Sequence, residues 1–236
     1  MPLRLDRFLA HAAGLTRSQA QRAVRGGEVT VDGVVVRDPS AQIGPGQAVT
    51  CRGRPVVAQG ARYFMLYKPA GVVSVTTDAL HPTVLDLIRE TRKEGLHAAG
   101  RLDLDATGLV LITDDGGWSH RVTSPRRKCA KRYRVTLAEP LTPAAAAQLA
   151  AGIVLRGEDT PTAPASLEPL SATETWITIS EGRYHQVKRM FAAVGNHVLA
   201  LHRDRIGPVV LDPALAPGEY RPLTPIEIAA LGGCGG

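Results

Sequence analysis

The stretch GLVLITDDGG, residues 108–117, constrains the fold more than any other part of the chain. Its core, LVLIT, is an unbroken apolar run of strand length closed by the turn formers Asp114 to Gly117, and such a run suits a strand buried inside a sheet. The preceding GRLDLDATG reads as the loop leading in. Loops held by rigid strands are where reactive side chains are usually presented. An aspartate there can serve as nucleophile, base, metal ligand or turn cap. Asp105, before Ala-Thr-Gly, and Asp114 and Asp115, before two glycines, occupy turn-forming positions. Asp103 follows Arg101 by two residues, so in an extended loop the guanidinium lies on the carboxylate's side and can hold it ionised.

The chain from residue 62 onward supplies partners for that strand. RYFMLYKP, KRYRVTL and TWITIS read as strands, and TVLDLIRETRKEG, TPAAAAQLAAG and YHQVKRMFAAVG as helices. In the last of these Val187, Met190, Phe191 and Val194 recur at i, i+3, i+4 and i+7, which leaves Lys188 and Arg189 off the buried stripe. There is no βαβ phosphate loop and no internal repeat. Residues 62–236 are therefore expected to form an α+β domain, a mixed and mainly antiparallel sheet with peripheral helices.

Residues 1–58 are organised differently. Leu5, Phe8, Leu9 and Ala12 have helical spacing up to Gly14; Thr16 and Gln19 form a capping box for a second helix, with Ala20, Ala23 and Val24 as its apolar stripe and Gly26-Gly27 as its stop. EVTVDGVVV then places Asp32-Gly33 between two β-branched runs, the signature of a type I′ hairpin. The expected order is helix, helix, hairpin. This segment holds eight arginines against four acids, most of the chain's formal net charge of +6. Arg17, Arg22 and Arg25 decorate the second helix, and guanidinium groups suit phosphate because they donate paired hydrogen bonds and keep their charge. CRGRPVVAQGAR, around residues 52–61, reads as a linker.

Composition narrows the class. No apolar run is long enough to cross a bilayer and the first ten residues lack a secretory leader, so the chain is expected in the cytoplasm, away from membranes. Cys51, Cys129 and Cys234 are odd in number and widely spaced, which suits reduced thiols and no metal cluster. His120, His185, His197 and His202 show no metal-ligand spacing and are expected to be structural or to touch RNA.

Two resemblances add to this reading. RLDRFLA, TRSQAQRAVRGGEVTVDG and IGPGQAVT resemble the S4-like RNA-binding module. AGRLDLDATGLVLITDDG resembles the signature of the pseudouridine synthases of the ribosomal small-subunit type, joined in the same order by YKPAG, KRYRV and EGRYHQVKRMFAAVGNHV. One departure is Tyr67, where the family often has Asn before K-P-x-G. The resemblance implies that Asp103 is the catalytic aspartate, that Lys188 is the basic residue paired with it, and that Tyr133 stacks on the uracil and relays a proton. Arg183 and Arg189 follow as phosphate contacts. Arg101, Arg126, Arg127 and Lys131, in or near the same motifs, are expected on the RNA as well.

Isomerising uridine to pseudouridine breaks the N-glycosidic bond, rotates the retained uracil and joins its C5 to the sugar, with no redox step. No cofactor and no metal are therefore expected. The implied partner is 16S ribosomal RNA, or the assembling small subunit, met by a monomer. Rival readings are a sister synthase acting on 23S RNA, a non-catalytic assembly factor, and a glycoside hydrolase using Asp103 and Asp105. The last needs a sugar cleft rich in aromatics, which a chain with 4% aromatic residues does not favour.

Overall fold

The computed structural model describes residues 3–44, 46–57 and 60–233, and the chain divides into two units: residues 1–61 with 90–95, and residues 62–89 with 96–236. In the first, β1 (Leu3–Arg4) runs into α1 (Leu5–Ala12), and Thr16 caps α2 (Arg17–Arg25) through the capping box with Gln19. Leu5 and Leu9 of α1 are buried with Ala20, Ala23 and Val24 of α2. That burial turns Arg17, Arg22 and Arg25 outward.

β2 (Val29–Val31) and β3 (Val34–Val35) meet at Asp32 and Gly33, whose φ values of +51° and +82° are those of the expected turn. β4 (Gln42–Ile43) pairs with β1, while β5 (Val49–Cys51) and β6 (Arg54–Val56) complete a sheet of order β3-β2-β5-β6. This corrects the expected linker. Arg52 and Gly53, at φ +52° and +70°, form a second tight hairpin, so the segment is ordered strand through Val56; residues 58 and 59 lie outside the described chain.

The second unit begins with β7 (Tyr63–Lys68), β8 (His97–Ala98), β9 (Thr107–Thr113), α3 (Gly116–Thr123), β10 (Lys131–Leu137) and α4 (Pro143–Ala151). It continues with β11 (Ser166–Pro169), β12 (Glu174–Ile179), α5 (Gln186–Ala193), β13 (Val198–Ile206), β14 (Val209–Val210), β15 (Tyr220–Pro222) and α6 (Pro225–Gly232). The main sheet runs β11-β12-β10-β13-β9-β7-β15, with β14 beside β13 and β8 beside β9. Among the described residues its strands pair antiparallel except where β13 meets β9, which is parallel. β9 sits between two cores: Val110 and Ile112 enter one with Tyr133, Val187 and Phe191, and Leu109 and Leu111 enter the other with Trp118. A strand buried on both faces must be apolar at every position, which is why LVLIT does not alternate.

Two expectations fail. TVLDLIRETRKEG is no helix: Thr83 bridges Val73, and the Asp86 carboxylate accepts from the Thr83 N–H at 2.7 Å and its hydroxyl at 2.9 Å, closing a local turn. Val84, Leu85 and Ile88 still reach the core from that single turn, while residues 90–95 belong to the other unit. The pattern marked buried positions correctly and their backbone wrongly. Likewise DDGG does more than turn, because Asp115 caps α3 by accepting from the Gly117 and Trp118 N–H groups. Among the described residues no helix is long and apolar enough to cross a membrane.

Candidate active site

The loop entering β9 is held by its carbonyls. Arg203 of β13, 1% exposed, donates to the carbonyls of Gly100 (3.0 Å), Arg101 (3.2 Å) and Leu109 (2.8 Å). Ser74 Oγ donates to the Leu102 carbonyl at 2.9 Å and accepts from its N–H at 3.0 Å, and the Asp103 carbonyl accepts from Ala106 N–H. Lys68, at the end of β7 and wholly buried, donates to the carbonyls of Pro69 (2.8 Å), Leu104 (3.3 Å) and Ala106 (2.7 Å). Burial pushes its ammonium down to about 8, against the opposing pull of Asp105 and Asp103. Gly71 N–H also reaches the Leu104 carbonyl. A loop whose backbone is fixed at so many points presents its side chains with little freedom.

Gly108 lets this happen. It lies at φ +109° where β9 touches β13, and a Cβ there would stand 2.1 Å from the Arg203 carbonyl oxygen. Only glycine admits the approach that brings Arg203 beneath the loop.

Asp103 emerges from the loop with a quarter of its side chain exposed. Its oxygens lie 3.3 Å from His185 Nε2 and 3.5 Å from Lys188 Nζ. Arg101 does not make the expected pair; it lines the cavity instead. Lys188 is closer to Asp105, at 2.6 and 2.8 Å. Asp105 is thus more than a turn former, and the hydrogen bond from Lys188 is the main cause holding its carboxyl below the ordinary range. One ammonium serves both carboxylates because α5 passes across the loop's turn. His185, expected to be structural or to touch RNA, was not singled out, yet it faces Asp103, stacks on Tyr184 with ring centroids 3.8 Å apart, and sits at φ +46° just before α5. Its one sequence signal is the spacing of three residues from Lys188.

Tyr133, 7% exposed on β10, forms part of a cavity of about 450 Å³ that also meets Asp103, Arg101, Arg183, His185 and Arg203. Arg203 Nη1 stands 3.4 Å from the Tyr133 hydroxyl. Nothing in LALHRDR distinguishes Arg203 from a surface arginine, so sequence reasoning missed it. Among the described residues no cluster of His, Cys, Asp or Glu is placed to hold a metal.

The other predicted basic residues divide. Arg17, Arg22, Arg25, Arg126 and Arg127 are exposed. Lys131 is 8% exposed and donates to the Cys129 carbonyl, turned inward by the alternation of β10. Arg183 and Arg189 converge on Glu158, and Arg189 also binds the Arg156 carbonyl at 2.9 Å, Arg183 the Pro161 carbonyl at 2.6 Å. Their guanidinium groups fasten the 156–161 loop to the site. The basic run 126–134 is likewise partly spent within the fold, with Arg132 on Asp204 and Arg134 on Glu174.

Comparison with known proteins accords with this geometry. A family model described as RNA pseudouridylate synthase matches residues 62–193, and one for the S4 domain matches residues 3–49. The chain belongs to the RNA pseudouridylate synthase family and carries an S4 domain ahead of the synthase domain. It is 56% identical over 230 residues to ribosomal small subunit pseudouridine synthase A of Escherichia coli strain K12, covering 97% of this chain and 100% of that one. The protein of the same name from Salmonella typhimurium is 55% identical over 98% of this chain and 100% of its own, and that from Vibrio cholerae 52% over 97% and 99%. A crystal structure of a pseudouridylate synthase, 51% identical, superposes with a TM-score of 0.72 over 97% of this chain and 99% of the other.

Proposed function

We propose that this protein converts one uridine of small-subunit ribosomal RNA, the 16S molecule, to pseudouridine without a cofactor. The substrate reading is supported by relatives named for the ribosomal small subunit that align over nearly the full length of both chains. The observation that carries the chemistry is the Asp103 carboxylate, set on a loop pinned at its carbonyls, facing a cavity bordered by Tyr133. A uridine inside a helix is out of reach, so the target nucleotide flips into that cavity. Asp103 attacks or assists cleavage of the glycosidic bond, and Lys188 and His185 hold its carboxylate toward the base; Tyr133 stacks on the freed uracil and relays a proton, so that C5 takes the place of N1 on the sugar and gives up its proton, N1 gains one, and the Asp103 carboxylate is released unchanged. The exposed arginines Arg17, Arg22, Arg25, Arg126 and Arg127 hold RNA phosphates without reading sequence. The protein works as a monomer in the cytoplasm.

The test is to map pseudouridine in 16S and 23S RNA from cells lacking this protein and complemented with wild type or Asp103→Asn. Loss of one 16S mark, restored by wild type alone, is the expected result. A lost 23S mark would move the substrate, and marks that all survive deletion would favour an assembly factor.

A further inference from the structure

β13 and β9 touch over two residue pairs, His202↔Thr107 and Arg203↔Gly108, and then part. From Leu201 back to Val198, β13 goes on pairing with β10 on its other side. Where β13 and β9 part, a groove of about 400 Å³ crosses the face of the sheet opposite Tyr133, lined by Tyr67, Asp105, Thr107, Arg134, Glu174 and His202 among others. The chemistry proposed above leaves it unused. Yet it lies close to the catalytic cavity: Leu201 borders both, and the Lys188 ammonium links Asp103, which lines the cavity, to Asp105, which lines the groove.

The lining has a defined chemistry. Tyr67 and His202 meet edge to face, ring centroids 5.5 Å apart and planes at 69°, making an aromatic corner in which one ring can stack on a flat group while the other meets its edge. His202 is fixed by Thr107, whose Oγ1 lies 2.9 Å from Nδ1, and burial holds its imidazole below the ordinary range. Arg134 stands at the rim, half exposed beside Glu174 at 2.8 Å. Asp105 and Glu174 offer acceptors for a base N–H. Aromatic faces, a rim guanidinium and a few acceptors are what a pocket for an unstacked base requires, and the volume suits one nucleotide.

We infer that this groove receives the base of a nucleotide adjacent to the target uridine, with Tyr67 as its stacking surface and Arg134 on its phosphate. The inference rests on the RNA substrate proposed above, since a uridine flipped onto Asp103 brings its covalent neighbours to the far side of Lys188. It assigns a role to Tyr67, the residue at which YKPAG departs from its family's common Asn.

The experiment is a double-mutant cycle between protein and RNA. Pseudouridine formation is followed on an unmodified 16S transcript with the full chain, using Tyr67→Leu, Tyr67→Phe and Arg134→Gln, and with an abasic residue on either side of the modified uridine. Tyr67→Leu keeps apolar bulk, and melting curves confirm that it folds. It should raise KM about tenfold or more, and Tyr67→Phe, which keeps the ring, should stay within about twofold of wild type. An abasic residue on one side should cost wild type the same factor and cost Tyr67→Leu nothing further. Independent effects, or no effect of either change while wild type still modifies the RNA, overturn the groove assignment alone. Failure of wild type to modify any small-subunit uridine overturns the substrate reading, and the groove assignment falls with it.

Discussion

Lys68→Met removes one buried ammonium and keeps the length of the side chain. Three charge-assisted hydrogen bonds to the Pro69, Leu104 and Ala106 carbonyls are lost, together worth about 4–6 kcal/mol. Against this, displacement of the ammonium from 10.5 to about 8 means that keeping it charged at neutral pH costs about 3 kcal/mol, which the variant no longer bears. The net loss is about 1–3 kcal/mol, or a Tm lower by about 2–10 °C, so the protein stays folded at 25 °C. Turnover should fall far more. The Leu104 and Ala106 carbonyls bracket the turn that carries Asp103 and Asp105, and a displacement on the order of 1 Å at a reacting group costs about a hundredfold in rate. KM should hardly change, because a wholly buried side chain cannot touch RNA.

The sign of the pH effect follows from the same residue. Between about pH 8 and 10.5 the folded chain has released the Lys68 proton while the unfolded chain still binds it, so wild-type stability gains a rising contribution with pH across that window. The variant lacks that contribution. Denaturant melts at pH 7.5 and 10, together with single-turnover assays, measure both effects. A Lys68→Met protein that turns over within threefold of wild type, or that keeps the full alkaline rise, would refute the argument.

Asp6 gives a pH dependence of the same sign in the acid range. Its buried carboxyl is held down to about 2, chiefly by the Arg4 hydrogen bond, so its contribution is present above about pH 4 and lost as pH falls toward 2. With its arginine partners partly exposed, Asp6→Asn should cost about 1–2 kcal/mol at pH 7 and flatten acid unfolding followed by circular dichroism. Gly108→Ala forces a Cβ into the Arg203 backbone and should destabilise the protein by about 3–5 kcal/mol, lowering both the melting temperature and soluble yield. Replacing Arg17, Arg22 and Arg25 together by glutamine should weaken RNA binding uniformly across sequences and reduce the salt dependence of affinity by about 2–3 phosphate contacts in a filter-binding titration.

What the sequence disclosed follows from which interactions are local. The capping box at Thr16 and Gln19, the Asp32-Gly33 turn and the apolar LVLIT strand all depend on neighbours in the chain, and each is where its residues placed it. The helix expected over 83–95 failed because a local Thr83–Asp86 turn and contacts far along the chain outweighed a helical pattern. At the site, the carboxylate and Lys188 were named in advance. The finer pairing was not, since whether an ammonium on α5 meets Asp103 or Asp105 depends on how a helix some 80 residues later crosses the loop. Arg203 was invisible for the same reason, and His185 carried only its spacing from Lys188: the partners of both lie on a loop far earlier in the chain.

The stitching of Gly100 and Arg101 to Arg203 also sets an order of events during synthesis. A nascent chain that has exposed Asp103 and Tyr133 still lacks the guanidinium that seats the loop, and β7 waits longer for β15, pairing Leu66 with Tyr220. Such distant closures are slow steps in folding, and a growing chain cannot attempt them early. A chain released before residue 203 would contain the proposed trio of Asp103, Tyr133 and Lys188 and still be inert, so its activity dates from the emergence of its last strands.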